Sequence, residues 1–292
     1  MIDPSIPLIA IVGPTATGKT DLALDMAEQF GGEILCADSR TIYRGMDIGT
    51  AKPTSEEQAR VPHHLLDIAD PGEQVTASEF KRLAERTAVE IWDRGHVPFL
   101  VGGSGLYVDA ILYDYQFPPM ADPDRRKDLE ALPLAELVEQ LVSADPSAVE
   151  TIDIANKRRV VRALETLNVG KSRRETVRPN TLVLGLSVNK EVAQERIEHR
   201  IEKMLAQGFI DEVRTIGETF GWDSEALTGI GYRAFKDVVL GTKPLDVGKA
   251  EFIRGDMSLR RRQLTWFRRN KEIHWITPEE APKLIVNFLG QV

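Results

Sequence analysis

Eight residues near the amino terminus, Gly13, Pro14, Thr15, Ala16, Thr17, Gly18, Lys19 and Thr20, follow the pattern G-x-x-x-x-G-K-T. Around such a turn backbone N–H groups face phosphate oxygens, the lysine reaches them with its ammonium, and the last hydroxyl can ligate magnesium. The helix that opens there adds the partial positive charge of its N-terminus. All eight are candidate diphosphate-binding residues, Lys19 and Thr20 are also catalytic candidates, and Thr20 is the expected magnesium ligand. The loop alone leaves open whether the diphosphate belongs to ATP, to GTP or to another molecule.

Two further positions carry chemistry. Asp38 follows the apolar run "EILCA" and has three readings: a magnesium ligand through water, a general base for a substrate beside the phosphates, or only the cap of a turn. Ser104 lies among Gly102, Gly103 and Gly105, glycines that permit close backbone approach. The apolar run before it, "FLVGG", ends in glycine where an ordinary P-loop hydrolase has an acid that fixes magnesium. A crevice built this way leaves room for something bulky beside Ser104. His63 and His64 are adjacent with no spaced third ligand, which is poor grounds for zinc, and Tyr107 is open between packing and contact.

The elements that must position these groups are legible as apolar runs. "PLIAIV" (Pro7 to Val12) reads as a buried parallel strand that ends at the glycine loop. Leu22, Ala23, Met26, Ala27 and Phe30 recur at helical spacing before the break at Gly31 and Gly32. "EILCADS", Val97 to Val101 and Thr181 to Val188 read as further strands, with helices predicted from about Ala77 to Arg94 and from about Lys190 to Gln207. A last strand, "EIHWI", precedes a closing helix in "PEEAPKLIVNFLG". Alternating strands and helices predict an α/β fold, a P-loop-containing parallel sheet flanked by helices, with ligands at the carboxyl ends of the strands. Lys19, Asp38 and Ser104 should then meet in one crevice. Between Phe117 and about Asn180 the sequence turns helical, charged and strandless after the linker "FPPMADPD", so a core of residues 1–116 and 181–292 is expected to carry a helical insertion, 117–180.

Composition narrows the class. The 292 residues are 42% hydrophobic and 28% charged, which suits a globular enzyme and excludes disordered and membrane extremes. No apolar run reaches the roughly 18 residues of a membrane span. The single cysteine, Cys36, fits a reducing cytoplasm and a role as a small buried hydrophobe. A net charge of −8 argues against nucleic acid as a whole, yet it conceals two basic blocks. Asn156 to Arg178 holds eight basic residues (Lys157, Arg158, Arg159, Arg162, Lys171, Arg173, Arg174, Arg178) against Glu165 and Glu175, and Arg254 to Lys271 holds seven against Asp256 alone. A charge run is usually solvated surface, and these blocks do not by themselves establish RNA binding.

Taken together, "GPTATGKT", "ADSRTIYRGMDIGTAKP", "VPHHLLDI", "VGGSGLY", "NKRRVVRALE", "RIEHRIEKMLAQGFIDEV", "GIGYRAF" and "RRRQLTWFRR" resemble, in order, the tRNA dimethylallyltransferases. The resemblance runs from Gly13 to about Ile276. It implies that the diphosphate is that of dimethylallyl pyrophosphate and that the acceptor is the exocyclic amine of the adenosine 3′-adjacent to the anticodon. It makes Asp38 the proton acceptor, Arg200 a clamp on the pyrophosphate, and Ser104 a hydroxyl that orients pyrophosphate or amine. It also implies a tRNA anticodon stem-loop contacted by Asp38, Ser39, Arg40, Thr41, Ser104, Arg126, Lys157, Arg158, Arg159, Arg162, Gly231, Tyr232, Arg233, Arg260, Arg261, Arg262 and Gln263. A magnesium-dependent, cytoplasmic monomer is the expectation. Thr41 departs from the pattern, standing where the family's D-S-x-Q motif has glutamine and being too short to pair with an adenine edge, so target recognition is expected to differ. Thr17 for serine and Ser104 for threonine keep their hydroxyls. Prenylation of free AMP, a P-loop small-molecule kinase and a non-catalytic nucleotide switch are the alternatives that an assay must separate.

Overall fold

The computed structural model describes residues 2–117, 122–167 and 173–290; part of the Pro-rich linker (118–121) and Lys171 lie outside the described residues. In chain order the elements are β1 (Leu8–Val12), α1 (Lys19–Gln29), β2 (Gly32–Cys36), α2 (Ser55–Arg60), β3 (His63–His64), α3 (Ala77–Asp93), β4 (Val97–Gly102) and α4 (Gly105–Leu112). Then come α5 (Pro123–Ala131), α6 (Leu134–Ala144), α7 (Ala148–Thr151), α8 (Lys157–Glu165), β5 (Thr181–Leu186), α9 (Lys190–Ala206) and α10 (Phe209–Phe220). The chain ends with α11 (Ile230–Val239), α12 (Leu245–Phe267), β6 (His274–Ile276) and α13 (Ala281–Leu289).

The six strands form one parallel sheet in the order β3-β2-β4-β1-β5-β6. Alternate β1 residues point to opposite faces. Leu8, Ala10 and Val12 pack with Phe80, Ala84, Ala88 and Ile91 of α3 and Val108 and Ile111 of α4. Ile9 and Ile11 pack on the other face with Leu22, Ala23, Met26 and Ala27 of α1 and Ala281 and Ile285 of α13. Both faces are therefore covered, which explains why these strands are continuous apolar runs rather than alternating ones. β1 sits between β4 and β5, and the chain leaves it toward β2 on one side and later returns to β5 on the other. Its carboxyl end is thus a switch point where loops diverge and leave a crevice.

Backbone contacts divide the chain into two compact units, residues 1–114 with 175–292, and residues 115–174. Within the larger unit a second core surrounds Phe209, Tyr232, Phe235 and Phe252, with Ile197, Ile201 and Met204 of α9 and Ile42 and Met46 of the β2–α2 connection. The smaller unit has its own core: Leu137 and Leu141 of α6 pack with Val160, Val161 and Leu164 of α8.

β3 is a strand absent from the sequence reading. Glu33 explains how His64 of this strand is held at the sheet edge. Its carboxylate is buried, accepts from Arg94 Nη2 at 2.6 Å, and lies 2.6 Å from both His64 Nε2 and His96 Nδ1. Burial would raise this carboxyl, but the hydrogen bonds from Arg94, His64 and His96 overcome it and hold the group down to about 2. Cys36 is buried as expected, its thiol pushed up to about 12 by burial and then by the charge of Asp38.

Candidate active site

The glycine loop is held in a shape that only part of its sequence makes obvious. Gly13 has φ 155°, and a Cβ there would lie 2.5 Å from the carbonyl oxygen of Leu186 at the end of β5. Any side chain would push the loop off the sheet. Ala16 is left-handed at φ 63°, a conformation that costs about 1 kcal/mol or more for a residue with a Cβ. Arg196 Nη1 donates to its carbonyl at 3.3 Å and Thr17 Oγ1 to that of Pro14 at 3.0 Å, so the turn is braced from outside and within.

Lys19, the first residue of α1, donates from Nζ to the Pro14 carbonyl at 3.3 Å and so folds back over the loop. Burial lowers its ammonium to about 8; the nearby charge of Asp38 opposes the shift and that of Arg200 adds to it. Thr20 is exposed on the first turn and faces the same cleft. Arg200 arrives from α9, and its Nη1 donates to Thr15 Oγ1 at 3.1 Å while Nη2 pairs with the carboxylate of Asp256 on α12. Burial raises the Asp256 carboxyl, against the pull of Arg200.

Asp38 and Ser104 stand across the loop, at the ends of β2 and β4. Asp38 Oδ1 accepts the backbone N–H of Arg40 at 2.8 Å, and among the described residues no other donor bonds its carboxylate. Ser104 Oγ accepts the N–H of Ser39 at 3.0 Å, which ties the two strand ends together. That approach is possible because Gly102 has no side chain: a Cβ there would meet the Ala37 carbonyl oxygen at 2.0 Å. Thr15 to Thr20, Asp38, Ser104 and Arg200 line one cleft of about 1260 Å³. Its far wall is the segment Asp47–Pro53. Glu212 of α10 fixes that wall: its carboxylate accepts the N–H groups of Asp47 and Ile48 at 2.8 Å, that of Gly49 at 2.9 Å, and the hydroxyl of Tyr232 at 2.6 Å.

Cationic groups, open amides and a helix N-terminus on one side of a cleft, with a carboxylate on the other, can hold a diphosphate and remove a proton from a neighbouring nucleophile. A family model described as IPP transferase matches residues 41–270. The chain is 44% identical over 276 residues to the tRNA dimethylallyltransferase of Roseiflexus sp. (strain RS-1), covering 90% of each chain. It superposes on the crystal structure of the full-length tRNA isopentenylpyrophosphate transferase from Bacillus halodurans with a TM-score of 0.74, 37% identity, and 98% and 96% of the two chains covered. The chain belongs to the IPP transferase family. It is a prenyl-transferring enzyme. A eukaryotic dimethylallyltransferase, 23% identical with a TM-score of 0.80 over 90% of this chain and 70% of that one, shares the fold.

In this IPP transferase the residues expected to meet tRNA fall into three groups. Ser39, Arg233 and Arg262 line the cleft, and Arg261 is exposed beside it in sequence. A second group is engaged inside the larger unit. Arg40 lines the cleft but donates to the carbonyl of Glu225 at 3.0 Å and to Thr228 Oγ1 at 3.1 Å, so it braces the turn before α11. Tyr232 is buried against Phe209, and Gly231 is small because a Cβ would strike Phe252 at 2.6 Å. Arg260 is buried and donates to the Val188 carbonyl, and Gln263 binds the glycine loop. Thr41 is buried too, its hydroxyl without a partner. The third group lies in the smaller unit, where Arg158 and Arg159 are exposed; Arg126 pairs with Glu130 at 2.9 Å, Lys157 donates to the Glu130 carbonyl at 2.7 Å, and Arg162 pairs with Glu165 at 3.1 Å. Tyr107 stacks on Phe80 at 4.0 Å and donates to the Val75 carbonyl at 3.2 Å, and it also lines the cleft. Glu212 was missed altogether, while Asp256 was signalled only by being the one acid in a basic block.

Proposed function

We propose that this enzyme transfers the dimethylallyl group of dimethylallyl pyrophosphate to the exocyclic amine of the adenosine 3′-adjacent to the anticodon in tRNA. The single observation that carries the reading is the cleft itself, with Lys19 and Arg200 at the glycine loop, Asp38 opposite, and glycine instead of an acid at the end of β4. The amine nitrogen attacks the first carbon of the prenyl chain, the bond from that carbon to the diphosphate oxygen breaks, and the amine proton passes to Asp38. Charge grows on the departing pyrophosphate. Lys19, Arg200 and the loop amides are fixed where that charge develops, and they need little reorganisation to stabilise it. Ser104, bonded to the Ser39 amide, holds the Asp38 loop at the height of the diphosphate.

The donors present suit magnesium. Among the described residues no three His, Cys, Asp or Glu side chains gather into a metal cluster, so a cation would rely on the Thr20 hydroxyl and on oxygens of the diphosphate, the hard-oxygen set that magnesium favours. Bound there, magnesium would neutralise charge on the leaving group. The exposed arginines of α12 and of α8 would meet the tRNA phosphates, and the target adenine would be drawn out of its stack to reach Asp38. Among the described residues no helix is long and apolar enough to cross a membrane; we take the enzyme to work in the cytoplasm as a monomer.

The test offers purified protein and magnesium both dimethylallyl pyrophosphate and ATP, with unmodified tRNA and AMP together, and follows nucleosides by mass spectrometry. A prenyl-sized gain on tRNA adenosine, lost in Asp38→Ala, is expected. Gain on AMP alone, or ATP consumption without any prenylated product, would overturn the reading.

A further inference from the structure

We propose that α12 presets the diphosphate cradle, with Asp256 and Gln263 as positioning residues that both act through Thr15. The two lie seven residues apart, two turns along one helix, and so share a face. Asp256 pairs with Arg200, whose Nη1 donates to Thr15 Oγ1 at 3.1 Å. Gln263 accepts the Thr15 backbone N–H on Oε1 at 2.9 Å, and its Nε2 donates to the Gly103 carbonyl at 2.9 Å. The backbone N–H and the hydroxyl of Thr15 are thus both engaged from α12, directly by Gln263 and through Arg200 by Asp256. Thr15 is the residue before left-handed Ala16, so fixing it fixes the direction in which the following amides point.

The fit at Gln263 is close. A Cβ on Gly103 would stand 2.5 Å from Nε2, so the glycine leaves the space that lets one amide side chain join the glycine loop to the end of β4. Asp256 is 4% exposed, and its charge directs the guanidinium of Arg200 toward Thr15. Without that carboxylate, Arg200 keeps its charge but loses its orientation, and a bidentate group that is 1 Å out of place loses much of its effect.

This inference rests on the proposed function only in taking the ligand of the loop to be a diphosphate. Its test therefore uses inorganic pyrophosphate with magnesium, titrated calorimetrically into the wild type, Asp256→Asn and Gln263→Leu, alongside steady-state KM values for dimethylallyl pyrophosphate and for tRNA. Each variant should weaken pyrophosphate and raise the donor KM by about tenfold, from the loss of a charge-assisted contact in Asp256→Asn and of two neutral hydrogen bonds in Gln263→Leu, with the tRNA KM within about twofold. Thr15→Val, which removes the half-buried loop hydroxyl that accepts from Arg200 and leaves α12 intact, keeps the test open if a helix variant folds poorly. In the Thr15→Val background Asp256→Asn should lose most of its effect, because the two act in series. Unchanged pyrophosphate affinity in the folded variants, or effects of Thr15→Val and Asp256→Asn that multiply independently, would overturn the inference. A wild type that binds pyrophosphate and prenylates no tRNA would sink the proposed function instead, while the pyrophosphate titrations still decide on α12.

Discussion

If Lys19 binds diphosphate as an ammonium, donor affinity must fall with rising pH well below the range where an ordinary lysine titrates. Burial, with Arg200 nearby, places the free enzyme's Lys19 at about 8 against a usual 10.5, although Asp38 pulls the other way. The charged form is the one that binds. With that value about nine-tenths of Lys19 is charged at pH 7 and about 3% at pH 9.5, so the dissociation constant for dimethylallyl pyrophosphate should rise roughly 30-fold, or about 2 kcal/mol. Bound diphosphate restores the preference for the proton. kcat, which reports the bound complex, should therefore stay level over the range where kcat/KM, which reports the free enzyme, declines. Lys19→Arg is the control: arginine keeps its charge throughout, so its affinity, lower from the poorer fit, should be flat from pH 7 to 9.5. Asp38→Asn removes the charge that supports the ammonium and should move the break below 8. Calorimetric titration of the donor at half-unit steps of pH measures all three. A flat wild-type profile to pH 9.5, or a parallel decline in Lys19→Arg, refutes the assignment of Lys19 as the titrating ligand.

The remaining expectations concern the groups that hold the cleft in place. Glu33 has its carboxyl depressed from 4.5 to about 2, so the stability it contributes is complete above pH 4.5 and is lost as pH falls toward 2; this amounts to about 3 kcal/mol by linkage. Glu33→Gln should accordingly lower the Tm at pH 7, with the gap narrowing to about a quarter by pH 2.5, and a gap as wide there as at pH 7 would contradict the attribution. Glu212→Gln offers one carbonyl oxygen where the carboxylate accepted four hydrogen bonds, leaving the half-buried N–H groups of Ile48 and Gly49 short of a partner at about 1 kcal/mol each. Faster hydrogen exchange confined to residues 45–53, with a raised tRNA KM, is the expected signature; unchanged exchange there would exclude Glu212 as the anchor of that wall.

The parts of this site visible in the sequence are those whose neighbours in space are also neighbours in the chain, or whose position follows from a rule about sheets. β1, the glycine loop and α1 are contiguous, so "LIAIVGPTATGKT" carries strand, turn and helix start in one stretch. Asp38 and Ser104 could be placed opposite that loop because parallel strands deliver their carboxyl ends to one edge. The supporting residues obey neither condition. Gln263 meets Thr15 across 248 positions of chain, and Glu212 meets Gly49 across 163; each sits on a helix where a polar residue reads as solvated surface. In the run Arg260, Arg261, Arg262, Gln263, the family resemblance assigns all four to RNA, whereas the register of α12 buries Arg260, aims Gln263 at the glycine loop and Gly103, and leaves Arg261 and Arg262 exposed. Register depends on how a 23-residue helix packs on α9, α11 and the loop, which a local pattern does not contain. Glu33 is hidden for a related reason: a carboxylate inside an apolar strand becomes tolerable only once Arg94, His64 and His96 arrive from other elements. The chemistry of the cleft is thus written locally, on loops at strand ends, while the stiffness that makes this chemistry efficient is written in long-range contacts made by helices, and it is there that substitutions should alter the rate without touching a substrate atom.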